Sequence, residues 1–279
     1  MATTRLRSPS VLPGFGLALG YTLAYLGLIV LVPLAALALR GAGLPFSEMT
    51  DVFADERSRA ALGLSFGSAL IAASIALVAG GVVAWVLARY RFPGRRVLDA
   101  VVDLPFALPT AVAGIALASV FDATGWLGGP LTALGVQVAY TQVGIVVALV
   151  FIGLPFVVRS LQPVIEELDV EVEEAAALLG ASRLQTLLRV VLPTLLPAGI
   201  TGFALALARA VGEYGSVVFI AGNLPFRTEI APLLIIIRLE EFDYPGAMAL
   251  ALVMLGISFA LLLAVNLVQA WARRRFGRG

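Results

Sequence analysis

"EEAAALLGASRLQTLLRVVLP", residues 173–193, is the stretch on which the reading of this chain turns. It holds paired acids, one glycine, two arginines and a closing proline, inside a chain of 279 residues that is 60% hydrophobic and only 13% charged. Soluble domains carry roughly a quarter charged residues. A polar, helix-forming segment in so apolar a chain belongs outside the lipid, where its charges stay solvated or meet a partner.

From Val164 to Leu179 the apolar residues 165, 168, 172, 175, 176 and 179 follow helical spacing, with Glu166, Glu167, Glu173 and Glu174 largely on other faces. Gly180 falls where a helix end favours a residue free to take positive φ. Ser182, with Gln185 three residues on, is a capping-box signature for a second helix. That helix places Leu184, Leu187, Leu188 and Val191 on one side and stops near Pro193. Arg183, in its first turn, runs against the helix macrodipole and is available to lipid phosphates or a partner. Taken on physics alone, the stretch is either an amphipathic loop resting on the membrane or a docking element.

Outward from it, apolar runs of 18 or more residues mark bilayer spans, since about 20 helical residues cross a ~30 Å hydrocarbon core. Lipid offers the backbone no hydrogen bonds, so each span is a helix. Six spans are expected, at 15–39, 61–88, 97–121, 140–158, 194–222 and 246–271. The fold class is therefore an all-α integral membrane protein with six transmembrane helices. The first span, 25 residues long, exceeds the roughly 7–15 residues of a signal-peptide core and reads as uncleaved. Three regions result. Residues 1–60 hold an N-terminal tail, the first transmembrane helix and an external segment; 61–271 form a core of five helices that includes the loop 164–193; 272–279 form a basic tail.

Arginine placement sets the orientation. With a cytoplasmic N-terminus, thirteen lie inside (Arg5, Arg7, Arg89, Arg91, Arg95, Arg96, Arg159, Arg183, Arg189, Arg273, Arg274, Arg275, Arg278) and five outside (Arg40, Arg57, Arg59, Arg227, Arg238). Both termini and the quoted stretch are then cytoplasmic. Asp122–Ala139 reads as a tight external connection, and Asn223–Pro245 as a longer one with a short interfacial helix around "APLLIII". The pairs Gly16/Gly20 and Gly63/Gly67 permit close helix approach. Pro105, Pro109 and Pro155 can bend or break their spans, as ordinary packing or as part of a gated path.

Absences narrow the function. The chain has no Cys and no His, and all 19 cations are Arg. A phosphate-binding P-loop needs its lysine, so the absence of Lys argues against ATP hydrolysis by this chain, although Asp, Glu, Ser and Tyr remain for other chemistry. Without thiol or imidazole, a reactive or metal-binding constellation is poorly supported, and a net charge of +1 argues against nucleic acid. Arg209 and Glu213 are four residues apart, on one helical face, near the middle of the expected fifth span. Charges inside a membrane face a cavity or each other. The two are either a structural pair or path-lining residues, Arg209 drawing an anion and Glu213 keeping its affinity low.

Residues 173–193 also carry a known pattern. Glu174-Ala175-Ala176, three residues, Gly180, nine residues, Val190, one residue, Leu192 and Pro193 resemble the EAA loop of ABC importer permeases. In that family the loop is a coupling helix that enters a groove of a separate ATP-binding subunit. The resemblance implies a type I importer permease fold and makes Glu173, Glu174, Ala175, Ala176, Gly180, Ser182 and Arg183 the coupling residues. It also accounts for the missing lysine, with ATP and magnesium on the partner and no cofactor on this chain. "GLPFVVRSLQPVIEEL", "ARAVGEYGSVVFIAGNLPFRTEIAPLL" and "RLEEFDYPGAMALALVML" are similar to the CysT-type permeases of sulfate/thiosulfate importers, with molybdate/tungstate permeases as the alternative.

That resemblance implies two ATP-binding subunits, a second, related but different permease and a periplasmic sulfate-binding protein, assembled in a bacterial inner membrane. Moving a dianion inward against 100 mV costs roughly 4.6 kcal/mol, so uptake must be energised. A secondary transporter would meet that need with repeated halves, which this chain does not display.

Overall fold

The computed structural model describes residues 14–276, with side chains as far as Trp271, and every regular element among them is a helix. The chain divides into two compact units, with the boundary between Phe46 and Ser47. In the first, α1 (Phe15–Ala42) carries an 18-residue window of mean hydropathy 2.4 and buries none of it. A π-helical turn interrupts it at Gly27–Leu31.

Along the rest of the chain come α2 (Phe46–Ala54), α3 (Glu56–Arg89), α4 (Arg95–Val102), α5 (Leu104–Ala107), α6 (Thr110–Phe121) and α7 (Gly128–Ala133). Then follow α8 (Gln142–Glu166), α9 (Val170–Leu178), α10 (Arg183–Val211), α11 (Val217–Ile220), α12 (Ala231–Glu240) and α13 (Tyr244–Phe276). Asp55 starts α3 as its N-cap, accepting from the Arg57 and Ser58 N–H groups at 3.2 and 3.1 Å. Burial opposes its ionisation, but these bonds, together with the Ser58 hydroxyl at 2.6 Å, hold its carboxyl below the ordinary value.

The larger unit is built on three mutually packed helices, α3, α8 and α10. The buried side of α3 is nearly all small: Ala61, Ser65, Ser68, Ala69, Ala72, Ala73, Ala76, Gly80 and Ala84. Apolar side chains gain little by leaving lipid for another apolar surface, so association relies on close van der Waals fit, which small residues allow. A β-carbon on Gly202 of α10 would lie 2.9 Å from Val157 Cα of α8, and one on Gly80 of α3 would lie 2.9 Å from Val157 Cγ1. Close approach thus centres on Val157. Gly16, Gly20, Gly63 and Gly67, singled out by spacing, have no neighbour within 4 Å of such a β-carbon.

Ion pairs pin both ends of this bundle. At one end Arg57 of α3 forks onto the buried Glu229 carboxylate at 2.8 and 2.7 Å, while Arg238 of α12 reaches Asp55 at 2.9 Å and the Ser58 hydroxyl at 2.8 Å. The Ser65 hydroxyl also accepts from the Ala231 N–H at 2.8 Å, tying the first turn of α12 to α3. At the other end Arg159 of α8 clamps Asp99 and Asp103, each at 2.7 Å.

Among the described residues, five helices are long and apolar enough to span a membrane: α1, α3, α8, α10 and α13. The expected third span, 97–121, is instead broken into α4, α5 and α6. Its chain is extended at Leu108 and Pro109, because Pro109 has no N–H to continue a helix and disfavours helical geometry in the residue before it. Pro155 and Pro163, by contrast, stay inside α8, which runs eight residues past the expected end at 158.

Two further boundaries differ. The helix expected over 164–179 is interrupted at Glu167–Asp169, and the one expected to stop near Pro193 continues to Val211. A π-helical turn at Leu187–Val191 widens α10 immediately before Pro193, so the proline joins without a break. The expected fifth span, 194–222, ends early at Gly212, and its last residues form a turn and α11.

Replacing Gly202 by Leu should therefore force α10 from α8, an overpacking cost of about 1–3 kcal/mol. Thermal melting of the detergent-purified protein should show a clear fall for Gly202→Leu and none for Gly67→Leu. Equal melting of the two would contradict the close contact at Val157.

Candidate functional site

The first locus is the loop between α8 and α10. Its two helices form because acids favour the first turn of α9 (Glu171, Glu173) and because Ser182 and Gln185 cap α10 reciprocally. The Ser182 hydroxyl accepts from the Gln185 N–H at 3.3 Å, and the Gln185 side chain accepts from the Ser182 N–H at 2.8 Å. Between them Gly180 has φ +82°. The Ala181 N–H donates to Ala176 O at 3.0 Å, closing the end of α9 around that left-handed residue.

The expected coupling residues separate into two groups. Glu174, Ala175, Gly180, Ser182 and Arg183 are exposed, whereas Glu173 and Ala176 are half-buried. Glu173 turns back onto the bundle and accepts from Arg89, the last residue of α3, at 2.6 Å. The Arg89 guanidinium also lies 5.5 Å from the Trp85 ring centroid. Glu173 and Glu174, adjacent in sequence, therefore do different things: one tethers the loop and the other faces outward. Leu178 and Leu179 complete the outward surface at 89% and 90% exposure. Two bare leucines beside a carboxylate at a rigid helix end form a surface suited to a protein partner.

Sequence reasoning missed Arg89 and Arg159. Both were read only as topological signals, yet Arg159 binds Asp99, Asp103 and the Gln162 side chain together. Asp99 and Asp103, four apart at the start of the broken span, were the available cue.

The second locus is the turn Gly212–Ser216 after α10. Arg209 lies in the last turn of α10, near its end and not in mid-span, and its partner Glu213 lies just beyond the helix. The two form an ion pair. Glu213 is 2% exposed at its side chain, and its other oxygen accepts from the Ser216 N–H at 2.9 Å and hydroxyl at 3.1 Å. Arg209 remains about one-third exposed. The turn lies flush against α6, where Gly215 meets Thr110 and Gly114 meets the Ser216 backbone so closely that neither position admits a β-carbon. The broken span and the turn thus form one packed unit, with the uncapped first turn of α6 beside the turn that carries the ion pair.

Removing Arg209 alone would strand the buried Glu213 charge. The penalty for an uncompensated buried partner, discounted for the exposure of Arg209, is on the order of 2 kcal/mol. Arg209→Ala should therefore lower the melting temperature of the purified protein, and Arg209→Ala/Glu213→Gln should recover much of the loss. A double variant as unstable as the single one would show that the pair carries no such penalty.

Comparison with known proteins adds the family. Residues 76–278 match the model of the binding-protein-dependent transport system inner membrane component. The sulfate transport system permease protein CysT of Salmonella typhimurium is 49% identical over 97% of this chain and 96% of its own length. The probable sulfate transport system permease protein cysT of Nephroselmis olivacea is 50% identical over 92% of this chain and 90% of its own. Among solved structures, a bacterial ABC transporter involved in import of the acidic polysaccharide alginate superposes with a TM-score of 0.74. It covers 91% of this chain and 94% of that one at 15% identity, a likeness of fold. With one family model over most of its length and half its residues shared with such relatives, the chain belongs to the multi-pass inner-membrane permease components of binding-protein-dependent transport systems.

Proposed function

We propose that this permease carries sulfate and thiosulfate inward by alternating access, driven by ATP hydrolysis on a separate subunit. The observation that carries the reading is the 49% identity, over 97% of the chain, to a sulfate transport system permease protein. The geometry favours an anionic cargo. Pro109 leaves the first turn of α6 without a side-chain cap, and open N–H groups at a helix start favour negative charge. Arg209 adds a cation on the adjoining turn, and Glu213, already bound to it, moderates the attraction so that a dianion is not held.

The broken segment α4–α5–α6 makes a sixth crossing in this reading. Helix α6 alone spans about 18 Å by rise per residue, short of a ~30 Å core, and the extended Leu108–Pro109 stretch and α5 complete the path. Broken helices inside membranes line cavities in transporters. Both termini and the loop 164–193 face the cytoplasm by arginine distribution, in the arrangement of a type I importer permease. The partners are two ATP-binding subunits that also hold ATP and magnesium, a second, related but different permease, and a periplasmic sulfate-binding protein. Glu174, Leu178, Leu179 and Gly180 form the face offered to the ATP-binding subunit, and Glu173 holds that face to α3.

Two measurements test this. In vesicles holding the assembled transporter, labelled sulfate should enter with ATP, be displaced by thiosulfate and be little affected by molybdate. Stronger competition by molybdate than by thiosulfate would select the molybdate/tungstate alternative. For coupling, Gly180→Val places a β-branched residue at φ +82°, a backbone cost of about 1–2 kcal/mol, with no neighbour within 4 Å of the new β-carbon. The variant should insert normally while co-purification with the ATP-binding subunit and ATP-driven uptake fall severalfold. Wild-type levels of both would leave the loop as a surface feature only.

A further inference from the structure

Where α3 ends, an apolar groove is followed along the chain by a basic cavity. The groove, about 600 Å³, lies between α3, α8 and α10 and is lined by residues such as Val78, Trp85, Tyr90, Leu161, Leu192 and Ile200. It follows α3 from Leu77 to Tyr90, about 20 Å by helical rise, comparable with one leaflet of a ~30 Å hydrocarbon core. Trp85 and Tyr90 stand at the end where α3 stops, the residue types that favour the headgroup boundary.

The basic cavity, also about 600 Å³, starts one residue further on and is lined by Arg91, Arg95 and Arg96 around Gly94, with Asp99 as its one carboxylate. Arg95 is 3.4 Å from Glu166, the chain neighbour of the groove-lining Ile165. The carboxylates nearby are already engaged: Asp99 by Arg159 at 2.7 Å, Glu166 by Arg95 and by the Gln162 amide at 3.2 Å. Arg91 and Arg96 are exposed and form no ion pair among the described residues. Helix α4 also exposes Val97 and Val101, at 67% and 48%, beside its arginines, the composition of a helix lying in the plane of a membrane surface.

We infer that this corner binds one anionic phospholipid of the cytoplasmic leaflet, an acyl chain in the groove and its phosphate between Arg91 and Arg96. Charge selects the occupant. A zwitterionic lipid would fill the same groove but bring its own ammonium cation beside the arginines, whereas an anionic one brings net negative charge; an apolar protein segment would leave both arginines without a counter-charge. The assignment to that leaflet rests on the orientation proposed above; the binding itself does not. Trp85, which lines the groove, lies 5.5 Å from the Arg89 guanidinium that holds Glu173 at 2.6 Å, so a lipid there packs beside the joint from which the loop hangs.

The test is native mass spectrometry of the purified complex in neutral detergent, titrated with phosphatidylglycerol or phosphatidylcholine. Wild type should retain phosphatidylglycerol at least fivefold more tightly. Arg91→Gln and Arg96→Gln should each lose about fivefold for that lipid, the ~1 kcal/mol expected per arginine near anionic headgroups, without changing phosphatidylcholine. Gly81→Leu should weaken both lipids alike. A β-carbon there meets Leu161 Cδ1 at an ordinary 3.7 Å, so the helices keep their spacing while the groove is filled.

Equal retention of the two lipids by wild type, or arginine variants that lose nothing, would overturn the site. So would a Gly81→Leu variant that disrupts subunit assembly with phosphatidylglycerol retention intact, since a protein would then occupy the groove. Sulfate uptake is read separately. Absence of ATP-driven sulfate uptake by the wild-type transporter, with its lipid selectivity as expected, would count against the transport reading alone.

Discussion

Val157 on α8 faces Gly202 of α10 on one side and Gly80 of α3 on the other, and no side chain fits at either glycine. That contact sets the spacing of the three helices on which the larger unit is built. In lipid, apolar area by itself does not drive helices together, so small residues that allow contact along their whole length carry the association. Ion pairs then fix the ends. Arg57 with Glu229 and Arg238 with Asp55 hold one end, and Arg159 with Asp99 and Asp103 hold the other.

A close-packed frame of this kind lets the remaining segments depart from regular helix. The stretch Arg95–Phe121 breaks at Leu108–Pro109 because packing, and not a continuous helix, supports it. Gly114 and Gly215 bring the turn 212–216 flush with α6, and Glu213 satisfies that turn through Ser216 while pairing with Arg209. The path proposed for the anion therefore runs beside the least regular part of the fold. That part also holds the buried Glu213 carboxylate. Preorganised polar groups stay functional in an apolar surrounding only when they are already paired, as these are.

The loop 164–193 shows the same division of labour. Arg89 and Glu173 anchor it, Gly180 turns it, and the exposed Glu174, Leu178 and Leu179 face away from the bundle. In the coupling proposed above, motion at the outer face has a short route inward, through α9 to the end of α3 and through α10, past its π-helical turn, to the Arg209 turn. A rigid helix that continues past Pro193 transmits displacement, whereas one that stopped there would absorb it.

Much of this was legible in the sequence. Apolar runs located the five long helices, and local signals located the capping box at Ser182 and the left-handed Gly180, because each depends on residues a few positions apart. The EAA spacing gave the family for the same reason. What the sequence could not decide was which of two allowed outcomes tertiary contacts would select. Pro109 broke a helix while Pro155 and Pro163 did not, since the surroundings of each determine whether a missing N–H can be accommodated. Glycine spacing pointed to Gly63 and Gly67, but the close contacts formed at Gly80 and Gly202, because only the facing helix determines where a β-carbon would collide. Glu173 and Glu174 are identical in type and adjacent in the chain. Their separation into a tethered and an exposed carboxylate came from Arg89, a residue 84 positions from Glu173 that only the fold brings within 2.6 Å of it.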